Sequence, residues 1–275
     1  MLFVDLSLAR RLEAAEAITI ADYVEALQQL RPEAAADVIE VGGGYAGFLM
    51  PDTPVNVAAG VGTSEAVHSS VIDHIEAFYE SHDAPPRIAV CPLGDIMLPT
   101  LLGERRYAIV QFFNKHVRPL SRAEGYPAPA RGVTVQEIDA DGFDLWAWTA
   151  RGPEASTGKT EMLVDARERI LTLADLCPRR ANVRCYLGYL DGKVAGNCAM
   201  HIHDGLATLF YTSTLPEHRR QGVHTAMIYH RLAAAAAAGC DMAVVAPIPG
   251  THSESSLQKA GFRVAYTRMV MQRTQ

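Results

Sequence analysis

The stretch that most constrains this chain runs from Leu206 to Leu232, LATLFYTSTLPEHRRQGVHTAMIYHRL. Its first part alternates, with Leu209, Tyr211 and Ser213 set against Phe210, Thr212 and Thr214, and so reads as a strand. Leu215-Pro216 ends it. A short basic turn, Glu217 to Gly222, comes next. Apolar residues at Val223, Ala226, Met227 and Tyr229 then lead into a run of alanines, which reads as a helix. A glycine turn at a helix start presents unpaired backbone N–H groups and the positive end of the helix dipole. Arg219 and Arg220 add full charges, so the natural guest is a phosphate or pyrophosphate.

Composition narrows the class of protein. The chain has 275 residues, 49% hydrophobic, with a formal net charge of −6, and is long enough for two globular domains. That acidic balance, without zinc-finger or RNP signatures, argues against a nucleic-acid partner. The five cysteines are scattered and never form C-x-x-C, as expected for reduced thiols in a cytoplasmic protein. Charged residues interrupt the first 17 positions, which rules out a signal-peptide core. No apolar run reaches the ~20 residues of a membrane span, so no membrane association is expected.

Read in order, residues 1–30 form one or two helices, broken before Pro32. Strands follow at 38–41, 45–50 and 54–60. Thr63 or Ser64 then caps a helix with Val67, Val71, Ile72, Ile75, Phe78 and Tyr79 on its apolar face. A strand at 86–92, a short helix at 95–102 and a strand at 107–117 complete this half. Residues 119–131, rich in Pro, Ala and Gly, read as a linker. Beyond it come a strand at 133–138, helical stretches through 143–173, and a hairpin at 183–202 closed by Asp191-Gly192. After the central unit lie a strand at 242–247, a helix at 253–260 with Ser253 as N-cap, and a last strand at 263–272.

The two halves repeat each other. Pro92 precedes Arg106-Tyr107, and Pro247 precedes Gly261-Phe262, by an equal interval, each pair joining a strand end to an aromatic strand start. This points to tandem copies of one domain, at residues 1–120 and 132–275 with a linker at 121–131.

The sequence lacks G-x-x-x-x-G-K-[ST] and G-x-G-x-x-G. What Arg219-Arg220-Gln221-Gly222-Val223-His224 resembles is the acetyl-CoA loop of the GNAT N-acetyltransferase superfamily, [RQ]-x-x-G-x-[GA], with His224 in place of a small last residue. The closing phrase Ser253 to Phe262 is similar too, so the resemblance covers most of residues 131–275. The first half resembles a degenerate copy, whose loop Gly60-Val61-Gly62-Thr63-Ser64-Glu65 has no arginine and carries an acidic residue. The resemblance implies an α/β fold of tandem GNAT-like domains, each a central mixed sheet flanked by helices. It further implies acetyl-CoA as co-substrate and transfer of its acetyl group to a primary amine of a small molecule or peptide. The first domain would help enclose that acceptor.

The resemblance also assigns roles. Backbone groups of Thr212, Ser213 and Thr214 would pair with the pantetheine arm. Arg219, Arg220, Gln221, Gly222, Val223, His224 and Thr225 would hold the pyrophosphate. The usual general-base and general-acid positions of the family fall on Val245 and Leu257, both apolar here. Substitutes are Tyr211, beside the pantetheine strand, and Ser253, near the thiol. His201 and His203 face one side of a strand, as edge histidines or a proton relay, and no metal site is expected. Two other readings stand beside the enzyme: a non-catalytic acyl-CoA sensor, favoured by the empty base and acid positions, and a transferase using another acyl donor or aminoacyl-tRNA, the tRNA disfavoured by the acidic charge. A monomer or a homodimer is expected.

Overall fold

A computed structural model describes residues 3–151 and 173–274; the expected helix over 143–173 therefore lies partly outside the described residues. The chain forms two compact units, neither continuous in sequence. The first comprises Met1–His116, Ala246–Glu254 and Arg263–Gln275, and the second Val117–Val245 and Ser255–Phe262.

In the first unit, residues 6–30 make a single helix, α1 (Leu6–Leu30). Asp5 caps it by accepting from the Leu8 amide at 2.9 Å. Its buried stripe, including Leu12, Ile20, Val24 and Leu27, follows the 3.6-residue period. Strands β1 (Asp37–Val41), β2 (Gly44–Phe48), β3 (Ala58–Ala59) and β4 (Arg87–Val90) follow, with helix α2 (Ser69–Ser81) between β3 and β4. Helix α3 (Met97–Glu104) leads to β5 (Tyr107–Pro119), and the last strand, β11 (Arg263–Arg273), lies between β4 and β5. The sheet order in this unit is β1-β2-β3-β4-β11-β5.

Two expectations fail here. The strand foreseen over 54–60 shrinks to two residues, because Asn56 turns the chain by bonding the Leu49 amide and the Met50 carbonyl, at 2.8 and 2.7 Å. Helix α2 starts at Ser69, not at Thr63 or Ser64. Those hydroxyls are spent on the Gly60 and Gly43 carbonyls, and the acceptor for the Val67 amide is Asp95, at 2.8 Å. That carboxylate, also bonded by the Met97 amide, is held below the usual range by those two N–H groups.

The second unit has the sheet order β10-β9-β8-β7-β6, from β6 (Val133–Glu137), β7 (Val183–Leu190), β8 (Lys193–His203), β9 (Leu206–Thr214) and β10 (Met242–Val245). The turn Asp191-Gly192 closes β7 on β8, with φ of 48° and 78° as a two-residue hairpin requires. On one face lies helix α5 (Val223–Ala237), packing Val223, Met227 and Leu232 against Tyr186, Met200 and Leu209. On the other lies α4 (Phe143–Arg151), whose Trp146 packs with Cys177, Cys185 and Ala199. Residues 119–131 lie along α5: Arg122 Nε donates to the Ala236 carbonyl, and the Tyr126 and Tyr229 rings are 6.2 Å apart.

The two positions compared in the sequence share one backbone feature. Arg106 after α3 and Gly261 after α6 (His252–Lys259) both take left-handed φ, 64° and 91°, and each is followed by a buried ring, Tyr107 or Phe262. Among the described residues, no helix is long and apolar enough to cross a membrane.

Candidate functional site at the end of strand β9

Strand β9 has two unequal edges. On one side it pairs antiparallel with β8 as far as Gly196↔Thr214. On the other it registers with β10 only at Leu206, Ala207 and Thr208. From Leu209 to Thr214 the backbone on that side faces no β10 partner, so an extended ligand can add there as a strand.

The strand also slips. Asn197 pairs with Ser213 but Ala199 pairs with Phe210, which leaves two β9 residues opposite Cys198. Tyr211 takes up the difference with φ of 50°, sparsely occupied by side chains other than glycine. The bulge corrects the simple alternation expected from sequence. Phe210 and Tyr211 both pack in the α4-side cluster, whereas Thr212 turns toward α5.

Three side chains far apart in sequence hold this bulge. Asn197, fully buried, donates to the Tyr211 carbonyl at 3.2 Å and accepts from Ser213 Oγ at 2.6 Å. Trp146 donates to the Cys198 carbonyl at 3.0 Å, and its ring meets Tyr211 edge-on at 5.3 Å. Arg231 reaches up from α5, 1% exposed. It donates to the carbonyls of Met227, Ala199 and Phe210 at 3.1, 2.9 and 3.3 Å, and to Thr212 Oγ1 at 2.8 Å. Among the described residues no carboxylate pairs with this guanidinium. Burial therefore lowers its pKa from the usual arginine range, and its hydrogen-bond acceptors are peptide carbonyls and the Thr212 hydroxyl.

After β9 the chain makes a 3-10 turn at Pro216–His218 and an extended step at Arg219. Arg220 and Gly222 then both adopt left-handed φ, 62° and 85°. Helix α5 starts on Gly222, whose carbonyl accepts from Ala226 at 2.9 Å. The amides of Val223, His224 and Thr225 thus precede the first intrahelical bond and form the positive end of the helix. Arg219, Arg220, Gln221 and Thr225 are exposed around this end. Gln221 and Arg219 tie the loop to itself through the Glu217 and Thr214 carbonyls. The His224 imidazole is pushed below its ordinary pKa, first by burial and then by Arg231, so it stays neutral at physiological pH and adds no charge to the cradle.

All ten residues expected to hold a phosphorylated cofactor thus lie on one continuous strand end, loop and helix start. Tyr211 sits at the bulge, at the head of the open edge. Val245 ends β10, and Leu257 on α6 is 4% exposed in the α5-side core. Ser253 is exposed in the first turn of α6. It is not the cap: that position belongs to Thr251, whose Oγ1 accepts from the Glu254 amide at 3.4 Å. Thr251→Ala is expected to cost about 1 kcal/mol and Ser253→Ala less than about 0.5 kcal/mol, measured as urea-unfolding midpoints. His201 and His203 do share a face, their rings parallel at 6.3 Å, but His201 is buried rather than solvated. Among the described residues no group of three His, Cys, Asp or Glu side chains could hold a metal ion.

Sequence reasoning missed Arg231, Asn197 and Trp146. Arg231 did leave a trace. It follows Met227 by four positions and precedes Ala235 by four, so it lies on the apolar face of the helix, where an arginine must find buried acceptors.

Comparison with known proteins agrees with this architecture. Residues 146–262 match the model of the acetyltransferase (GNAT) family. None of the curated proteins compared with the chain matches it. Among solved structures, a GCN5-related N-acetyltransferase from Kribbella flavida superposes with a TM-score of 0.61 at 17% identity, over 94% of this chain and 95% of that one. A tandem GNAT protein from the clavulanic acid biosynthesis pathway superposes with a TM-score of 0.56 at 14% identity, over 92% and 94%. A GCN5-related N-acetyltransferase from Sphaerobacter thermophilus gives 0.53 at 13%, over 86% and 75%. At these identities the superpositions speak for the fold, while the family match rests on the second half of the chain. Residues 146–262 are thus similar to the GNAT acetyltransferase family, and the fold is that of GNAT proteins, a tandem one among them.

Proposed function

We propose that the second unit binds acetyl-CoA along β9 and the loop after it, and passes the acetyl group to a primary amine of a small molecule or peptide. The observation that carries this reading is the continuity of the unpaired β9 edge, Leu209–Thr214, with the amide cradle at Arg220–Thr225. In this reading the pantetheine arm pairs with the backbone of Thr212, Ser213 and Thr214. The pyrophosphate lies on the amides from Arg220 to Thr225, with Arg219 and Arg220 supplying charge.

The attacking amine must first lose a proton, since an alkylamine with pKa near ~10 is mostly charged at neutral pH. Its nitrogen then bonds to the thioester carbon. A backbone N–H at the end of β9 stabilises the oxyanion, and the C–S bond breaks to release CoA thiolate. Tyr211 is the proposed proton donor to that thiolate. Holding the reactants in line supplies several kcal/mol of the barrier reduction. With Val245 and Leu257 apolar, deprotonation falls to water or to the acceptor itself, so activity is expected to rise with pH as the amine is neutralised.

The same apolar positions favour a second reading, an acyl-CoA sensor that binds without turnover. Continuous detection of free CoA thiol with a panel of amines separates the two. Amine-dependent release above buffer, reduced at least tenfold by Tyr211→Phe, is the expected result. Acetyl-CoA binding without release for any amine would favour the sensor.

A further inference from the structure

The first unit contains a cavity of about 210 Å³, roughly seven water volumes. Neighbouring strands build its floor. β4 offers Arg87 and Ala89, β11 offers Arg268 and Val270, and β5 offers Gln111 and Phe113, with Glu16 of α1 at its edge. The middle of the floor is apolar, and each end carries a guanidinium.

The charges around it do not balance. Glu16 accepts from Lys115 Nζ at 2.6 Å and from Arg268 Nη2 at 3.2 Å. Glu13 accepts from Tyr266 OH at 2.6 Å and lies 3.6 Å from Arg268 Nη1. Burial alone would raise the Glu16 pKa, but Arg268 and Lys115 outweigh it and hold the carboxylate ionised. Two carboxylates thus answer two cations. Arg87 is a third cation, and among the described residues no carboxylate pairs with it. Its Nε is buried without an acceptor, as are Nε and Nη1 of the 5% exposed Arg268. No described residue hydrogen-bonds the Gln111 side chain either. Unanswered buried donors and surplus positive charge are both costly, and a carboxylate satisfies them together because it matches the fork of a guanidinium.

The loop of this unit that corresponds to the cofactor cradle is closed to a phosphate. Ser64 Oγ bonds the Gly43 carbonyl, and Asp95 takes the Val67 and Met97 amides. That loop, which does not line the cavity, is therefore no second cradle for a phosphorylated cofactor. We propose that the cavity binds a small organic carboxylate with a short apolar body, the carboxylate on Arg87 and Gln111 and the body over Ala89 and Val270. This site is independent of acetyl transfer in the second unit.

Thermal melting of the full chain tests it, with sodium butyrate as probe against sodium phosphate and sodium chloride at equal ionic strength. Butyrate is expected to raise the melting temperature saturably and the other two salts are not. Arg87→Gln and, separately, Gln111→Leu should each weaken the butyrate response at least tenfold in concentration. Arg87→Gln should melt no earlier than wild type without butyrate, since the lost charge has no partner. Equal shifts with phosphate or chloride, no saturable shift, or an unchanged butyrate response in both variants would overturn the proposal.

Discussion

Arg231→Ala is expected to destabilise the protein by about 3–5 kcal/mol, the range for truncating a large buried side chain that also satisfies polar groups. The guanidinium is the donor for carbonyls on both strands at the slip, Ala199 of β8 and Phe210 of β9, and for Thr212 beyond the bulge. No carboxylate is stranded by its removal, so the loss is of packing and of carbonyl partners. Arg231→Met separates the two. Methionine restores most of the volume but leaves the carbonyls unanswered, and should still cost about 1–3 kcal/mol. Urea unfolding monitored by the two tryptophans would measure both. An Arg231→Met protein as stable as wild type would show that the bulge stands without its guanidinium. In folded Arg231→Met, acetyl-CoA affinity should drop as well, because a relaxed bulge re-aims the backbone of Thr212, Ser213 and Thr214.

The second large effect is expected at Gly222. Its φ of 85° is open to glycine and costs other residues about 1–2 kcal/mol. An added Cβ would lie 2.8 Å from Ala130 Cβ. Gly222→Glu also places a negative charge at the helix start, where the phosphates of acetyl-CoA are to sit. The variant should still unfold cooperatively yet bind acetyl-CoA at least 100-fold more weakly, a loss of about 2.7 kcal/mol. Titration calorimetry gives the number directly. Gly222→Ala, with the same backbone strain and no charge, should fall between the two. Equal losses for Ala and Glu would mean that backbone strain, not the field of the helix end, sets affinity.

The parts of this structure that were legible in the sequence are those with local causes. The strand at Leu206–Thr214, the Asp191-Gly192 turn and the glycine at the start of α5 each follow from nearest neighbours, and each lies where it was read, although the strand's alternation breaks at Tyr211. The failures have non-local causes. The bulge at Tyr211 depends on Arg231, Asn197 and Trp146, which sit on three other elements, so a strand read by itself shows only its alternation. The displaced start of α2 depends on Asp95, which reaches back across 28 positions to the Val67 amide. The place of β11 between β4 and β5 was not legible at all, because strand order is set by which apolar edges meet and leaves no mark within the strand.

Hydrogen–deuterium exchange with and without saturating acetyl-CoA tests the central claim most directly. Amides that gain ligand partners or lose water exchange more slowly, and the method reports where. Protection is predicted over residues 209–214 and 219–225, with none over the loop at residues 60–65. Absence of protection in the second unit, or protection confined to residues 60–65, would contradict the assignment of the cofactor to strand β9 and the loop that follows it.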